Sequence, residues 1–370
     1  MPEPQADLLL VGLTPPPFHG QSIATGLLFD HDWSPLRVAR LPIRYSNKID
    51  EIGKPSLKKV LHMFTLVWKC WKLRRQTGAR VMYYTPTSAS LVPFVRDVVF
   101  LILCRPFFDR VLLHYHAGGL PDFLRANPLR HFLGRLMYGR GAWSIALTPH
   151  VEAPGISFGA AKELVVPNGV DVPAEVVAHQ REGTKTTAFL FVGNLYRDKG
   201  IFDAIHALNE SHSQKHPVSL KVMGAFPDAE TEEELRSLAA EMDYPVEFLG
   251  ICKGDEKWAA FLTADVFFFP SYYASENQPL VTLEAMAAGL PVLATHWRGI
   301  PGQVEHGVTG LLVEPQNRQE ISQAAVQLAS DPDLRQRMGS NGRDRYLKEF
   351  TTEAHLQKMG EVFASALAES

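Results

Sequence analysis

Cysteine is scarce in this chain. Only Cys70, Cys104 and Cys252 occur, odd in number and scattered, with no pair at metal-ligand spacing. That excludes a disulfide framework and leads us to expect a reducing, cytoplasmic setting. Long hydrophobic runs are missing too. The longest, Val98 to Cys104, is far too short to span a bilayer. The N-terminal MPEPQAD has no basic segment ahead of an apolar one, so no signal peptide is expected. No solenoid-period repeat and no low-complexity segment occurs. No G-x-G-x-x-G follows the first apolar strand, which argues against a two-domain dehydrogenase. Finally, no acidic residue lies between Glu51 and Asp97.

What is there reads as a soluble enzyme. The 370 residues are 46% apolar and 21% charged, long enough for two domains. The net charge of −3 conceals an asymmetry. Through Val170 there are 20 Lys+Arg against 11 Asp+Glu, and the remainder has 17 against 29. A basic N-terminal half invites an anionic partner. Nucleic acid is the weaker candidate, because no RNA-module signature or recognition helix is recognisable.

Apolar strands alternate with amphipathic helices, the pattern of parallel sheets with crossover helices. Strands are expected at Asp7–Leu13, Arg80–Tyr84 and Val111–His116, and then, after the turn Pro167–Asp171, at Ala188–Val192, Ser219–Met223, Val246–Leu249, Val266–Phe269 and Pro291–Ala294. Helices are expected from about Ser22, over Ile201–Glu210 and over Glu232–Glu241. The fold class is therefore α/β, with two Rossmann-like domains facing across a cleft. Their expected ranges are 1–168 and 169–345, with a C-terminal helix over 346–370 packing back toward the first. Ligands of such sheets sit outside the carboxyl ends of the strands.

The stretch SENQPLVTLEAMAAGLP, Ser275 to Pro291, carries two glutamates around an otherwise apolar helix. Pro279 suits a first helical position and Gly289 a helix stop. The amides near Leu280 and Val281 then form an anion site at the helix N-terminus. Glu276 lies before that site and Glu284 just over one turn inside it, so hydroxyl-rich groups could flank a bound phosphate. Ribose, diphosphate and sugar have that layout. The bland alternative, two solvated glutamates at chance spacing, is disfavoured by the register of strand, loop, proline, helix and glycine.

The segment from Pro270 to Pro315 resembles the donor-binding signature of family 4 glycosyltransferases, whose E-x7-E motif matches Glu276 and Glu284. PNGVD at Pro167, FVGNLYRDKG at Phe191, VMGAFPD at Val222 and EFLGICKGDEKW from Glu247 agree in order. The resemblance implies the GT-B fold and retaining transfer from a nucleotide-sugar, without cofactor or required metal. It implies that Glu276 meets the sugar hydroxyls, that Glu284 meets the ribose, and that backbone near Gly250 and Ile251 holds the base. Asn277 and Gln278 join the donor-binding set, as does Gly193 at the end of its strand. Lys199 matches the lysine that stabilises the leaving phosphate. The chain departs from the pattern at Asn194, where an arginine is usual; Arg197 either supplies part of that charge or is a solvated turn residue. A silent donor-binding subunit and a sugar-nucleotide epimerase of the same fold therefore stand beside the transferase.

In LLHYHAGG, His116 matches the family histidine near the donor sugar and His114 reads as a core histidine. A zinc site from His-x-His lacks further ligands nearby. In TPPPFHGQSIA, the loop His19-Gly20-Gln21 opens a helix, and Gly20 permits close backbone approach. His19 either contacts an acceptor or only covers the loop. Ser56–Arg75 has apolar residues at Leu57, Val60, Leu61, Phe64, Val67, Trp68 and Trp71, edged by lysines and arginines. It reads as a surface helix packed on its own sheet, or as a peripheral membrane contact near a lipid-linked or other glycan acceptor.

Overall fold

The structure is a computed structural model. It describes residues 6–16, 18–43, 57–86, 89–151, 154–180, 185–213 and 216–370. The chain divides into two compact units, 1–169 with 352–370, and 170–351.

In unit 1, strands β1 (Leu8–Leu13), β2 (Val38–Ile43), β3 (Val81–Tyr84), β4 (Arg110–Tyr115), β5 (Trp143–Ala146) and β6 (Lys162–Val165) form one sheet in the order β2-β1-β3-β4-β5-β6. Every pairing is parallel. The helices are α1 (Gly20–Asp30), α2 (Leu57–Thr77), α3 (Leu91–Cys104), α4 (Leu120–Arg125), α5 (Pro128–Tyr138) and α6 (Pro154–Phe158). β1, β3 and β4 are nearly continuous apolar runs because helices cover both faces. One face packs against α2 and α3, through residues such as Leu9, Val11, Leu66 and Phe100. The other, with Leu8, Leu10, Tyr83 and Trp143, is covered by Leu28 and Phe29 of α1, by Trp33 and by the C-terminal helix.

Unit 2 contains α7 (Ala174–Val177), β7 (Thr187–Val192), α8 (Ile201–Ser213), β8 (Val218–Met223), α9 (Ala229–Ala240), β9 (Val246–Gly250), α10 (Gly254–Leu262), β10 (Val266–Phe269), α11 (Leu280–Ala287), β11 (Val292–Thr295), β12 (Gly310–Val313), α12 (Arg318–Ser330) and α13 (Pro332–Glu349). Its sheet runs β12-β11-β10-β7-β8-β9, all parallel. This is the order of a dinucleotide-binding Rossmann sheet, and the order reverses between β7 and β10. Helix α14 (Thr352–Ala368) returns to unit 1, where Met359, Val362, Phe363 and Ala366 enter the core.

The Rossmann-like reading of both halves holds. Four strands escaped the sequence reading: β2, β5, β6 and β12. β2 and β6 are the edges of their sheet, and their burial is broken rather than continuous. Helix α2 packs on its own sheet, as one of its two readings expects, but part of the expected apolar stripe faces outward. Phe64, Trp68 and Trp71 are exposed, while Met63, Leu66, Val67 and Cys70 face the core. The side chains of 57–62, including Lys58 and Lys59, lie outside the described residues.

Candidate functional site

The reversal of strand order in unit 2 brings two loops together. One leaves β7 through Gly193 and carries Lys199; the other leaves β10 at Pro270 and carries Glu276. They are stitched by Tyr272 N–H donating to Asp198 O at 2.8 Å. Gly200 has φ +80°, and a Cβ there would lie 2.1 Å from Pro270 O, so only glycine lets the loops approach this closely.

Across this junction Lys199 Nζ lies 2.6 Å from Glu276 Oε2. The Ser271 hydroxyl donates to the same oxygen at 2.9 Å. Glu276 is buried and Lys199 largely so, and the ammonium also stands 4.4 Å from the centre of the Tyr273 ring. A paired, hydrogen-bonded carboxylate tolerates such burial where a lone one would not.

Helix α11 follows at once. Pro279 occupies its N-cap and makes no side-chain capping bond, and its carbonyl accepts from Gln303 Nε2 at 3.0 Å. The amides of Leu280 and Val281 open the helix. Such first-turn amides have no intrahelical partner and carry the positive end of the dipole. Asn277 and Gln278 are buried in the loop before them. The Asn277 carbonyl leaves no room for a Cβ at Gly299, where one would lie 2.0 Å away.

Glu284 lies one turn further in, with its side chain 13% exposed. Burial raises its pKa, and the Lys257 ammonium opposes that rise. Lys257 Nζ on α10 is 2.7 Å from Glu284 Oε2. The site thus holds two lysine–carboxylate couples, one on each side of the α11 N-terminus in sequence. Lys257 is the residue that sequence reasoning missed. It lies on the helix after β9 rather than in a strand-end loop, and no motif marked it.

Other candidates sit as follows. Gly193 closes β7, its N–H donating to Met223 O at 3.0 Å. Gly250 (φ +70°) leaves open space around its Cα, and Ile251 is 68% exposed, so this turn presents bare backbone beside an unburied apolar side chain. Asn194 is exposed. Arg197 is not brought to the Lys199–Glu276 couple. Its guanidinium donates to both carboxylate oxygens of Glu234 on α9 at 2.6 Å and lies 3.9 Å from the Phe202 ring centre. Its exposed partner on α9 and the adjacent ring hold it at the surface in this arrangement.

Unit 1 gathers His19, His114, His116 and His355. The Tyr83 hydroxyl and His114 Nδ1 are 2.8 Å apart in the core. The His114 and His116 rings lie 4.2 Å apart. Burial, then the nearby His355 and His19, push His116 down to about 3, so it is neutral at physiological pH. His355 Nδ1 is 2.6 Å from Pro167 O, and burial lowers it to about 4. His19 caps α1: its Nδ1 accepts from Ser22 N–H at 3.4 Å, and Ser22 Oγ accepts from His19 N–H at 3.0 Å. That commits one nitrogen of His19 to the loop itself. Gly20 is open and Gln21 Nε2 donates to Pro86 O at 3.2 Å, across the β1–β3 reversal.

Residues 174–345 match the family described as glycosyl transferases group 1. Among curated proteins, a D-inositol 3-phosphate glycosyltransferase of Corynebacterium efficiens is 31% identical over 203 residues, covering 54% of this chain and 44% of that protein. A GDP-mannose-dependent alpha-(1-6)-phosphatidylinositol monomannoside mannosyltransferase of Mycobacterium tuberculosis is 31% identical over 203 residues, 51% of this chain and 52% of the other. The chain spans about half the length of the curated relatives it matches. Among solved structures, sucrose-phosphate synthase from Thermosynechococcus elongatus aligns with a TM-score of 0.73 at 21% identity, covering 98% and 99% of the two chains. Anabaena Alr3699/HepE in complex with UDP and glucose gives 0.68 at 18%, covering 97% and 100%. At these identities the structural matches speak for the fold, which is that of GT-B glycosyltransferases.

Proposed function

We propose, from the premise that the domain over residues 174–345 belongs to the group 1 glycosyl transferases, that the chain transfers a sugar from a nucleotide-sugar to an acceptor with retention of configuration. The observation that carries this reading is the Lys199–Glu276 couple at the strand-order reversal, immediately ahead of the α11 amides. A diphosphate at Leu280 and Val281 would lie against positive backbone charge. Glu284 accepts the ribose hydroxyls on one side, and Glu276 the sugar hydroxyls on the other.

As the glycosidic bond to the diphosphate breaks, charge grows on the leaving oxygen and the sugar becomes oxocarbenium-like. Lys199 and the α11 amides stabilise that growing negative charge, a contact worth roughly 10²–10³ in rate. The acceptor hydroxyl attacks from the leaving-group face and its proton passes to the departing phosphate, so no base from the protein is needed. His116, a neutral imidazole of unit 1, is the histidine to which the resemblance assigns sugar positioning. Unit 2 takes the donor and unit 1 the acceptor. The acceptor class that suits the basic N-terminal half is a lipid-linked or polysaccharide precursor.

A thermal-shift screen of nucleotides and nucleotide-sugars tests this reading: a specific shift identifies the base and then the sugar. Product analysis with donor alone separates transfer from epimerisation. A second reading, a donor-binding subunit without turnover, is favoured by the exposed Asn194 where the resemblance expects arginine. Tight nucleotide binding with no product under any acceptor would support it. No shift with any nucleotide would end both.

A further inference from the structure

Thirteen of the seventeen large apolar side chains exposed among the described residues lie in unit 1, so apolar exposure there is regional rather than random. The densest group is aromatic. Phe64, Trp68 and Trp71 follow one another at helical spacing on the outer face of α2 and are 53%, 56% and 41% exposed. Phe107, 53% exposed, stands edge-on to Trp71 with ring centres 5.8 Å apart. Trp71 Nε1 donates to Leu103 O at 2.8 Å, so its polar atom is satisfied inward while its ring faces out.

On α2 itself the exposed charge has one sign; the nearest exposed acid, Asp109 beyond Phe107, is paired with Arg80 at 2.7 Å. Lys69, Lys72 and Arg75 are exposed on the same helix, and Lys72 Nζ sits 5.1 Å from the Trp68 ring. Asp97, the single acid of α2 and α3, is buried, accepting from the Tyr84 hydroxyl at 2.8 Å with Arg96 at 3.5 Å. The exposed charges of the described α2 and α3 side chains are therefore all positive.

We propose that this face of α2, with Phe107, docks on an anionic phospholipid bilayer. Half-exposed tryptophan and phenylalanine suit the headgroup boundary, and lysines beside them meet lipid phosphate. A second copy of the same face fits poorly, because a two-fold contact would set basic side chains against each other. The proposal adds a partner to the transferase reading and rests on it only for its purpose, bringing the protein to a lipid-linked acceptor.

The test is co-sedimentation of the full chain, without donor or acceptor, with phosphatidylglycerol-containing and with pure phosphatidylcholine vesicles. Wild type is expected to bind the anionic vesicles and to bind them less at high salt. Lys69→Gln, Lys72→Gln and Arg75→Gln together should weaken partitioning roughly a hundredfold, about fivefold per charge. Phe64→Ser with Trp68→Ser should abolish the salt-resistant part, with circular dichroism melts confirming that the variants fold. Equal binding by wild type and variants, or none by wild type, overturns the proposal. So does a lipid-free dimer that Trp68→Ser dissolves, since the face would then belong to a second copy. A chain that binds vesicles yet transfers no sugar leaves the docking face intact; a working transferase that ignores vesicles defeats it alone.

Discussion

Replacing Lys257 with methionine isolates what holds Glu284 ready. In the native protein the ammonium lies 2.7 Å from a carboxylate that is only 13% exposed. Removing one partner of a buried ion pair costs roughly 3–5 kcal/mol if the other stays charged. Glu284 avoids much of that cost by taking a proton, because burial already raises its pKa and the Lys257 ammonium is what opposes that rise. On the proposed ribose contact, a neutral carboxyl would still accept, but the bond would fall from about 1.5–3 to about 0.5–1.5 kcal/mol. The loss of about 1.4 kcal/mol predicts roughly tenfold weaker nucleotide binding near neutral pH. Because the deficit comes from a proton, it should shrink as pH rises through the elevated pKa, while wild type stays comparatively flat. Titration calorimetry with the nucleotide chosen by thermal shift, over about pH 6–9, reads both effects. Lys257→Arg should preserve affinity, and Glu284→Gln should be weak at every pH. Wild-type affinity and a flat profile in Lys257→Met would refute the argument, as would an equal penalty for a 2′-deoxynucleotide in wild type and Glu284→Gln.

Lys199→Ala and Glu276→Ala should each lower turnover by at least about an order of magnitude in a steady-state transfer assay, and near-normal rates in both would remove their assigned roles. Gly200→Ala should lower the melting temperature, since φ +80° and the 2.1 Å approach to Pro270 O both oppose a Cβ, at a cost of about 1–3 kcal/mol. The histidines of unit 1 set an acid limit. His116 (about 3) and His355 (about 4) titrate in the fold below their ordinary 6.5, so the unfolded chain binds protons first. Their contribution is complete above about pH 6.5 and is lost as pH falls toward 4 and 3. Thermal melts at about pH 7.5 and pH 5 should therefore diverge less in His355→Gln than in wild type.

Much of the fold was legible because buried parallel strands announce themselves as unbroken apolar runs; Val266–Phe269 was read to the residue. Edge strands do not. β2 interleaves Arg40 and Pro42 with apolar residues, and β6 opens Lys162-Glu163, which reads as a loop until a neighbour pairs with it. In α2 the heptad-like stripe was visible but its direction was not. Bulky aromatics mimic a core face, and the smaller Met63, Leu66 and Cys70 take it instead. At the site, Glu276 and Glu284 were findable because strand-end position and helix punctuation are local signals, whereas Lys199 came from the family resemblance. Their pairing was not: Lys199 meets Glu276 across 77 residues, and Lys257 meets Glu284 from another crossover, so only the tertiary fold brings them together.

The discontinuity of unit 1 has a bearing on synthesis. Its sheet is complete by Val165, yet Leu8, Tyr83 and Trp143 on one face await Met359 and Phe363. On the ribosome, the intervening 170–351 can finish its own core before the earlier-made half is covered. For that interval the first half carries a greasy flank covered only in part, by Leu28, Phe29 and Trp33, and otherwise open to chaperones or to aggregation. Trimming the tail should therefore injure the beginning of the chain rather than its neighbour in sequence.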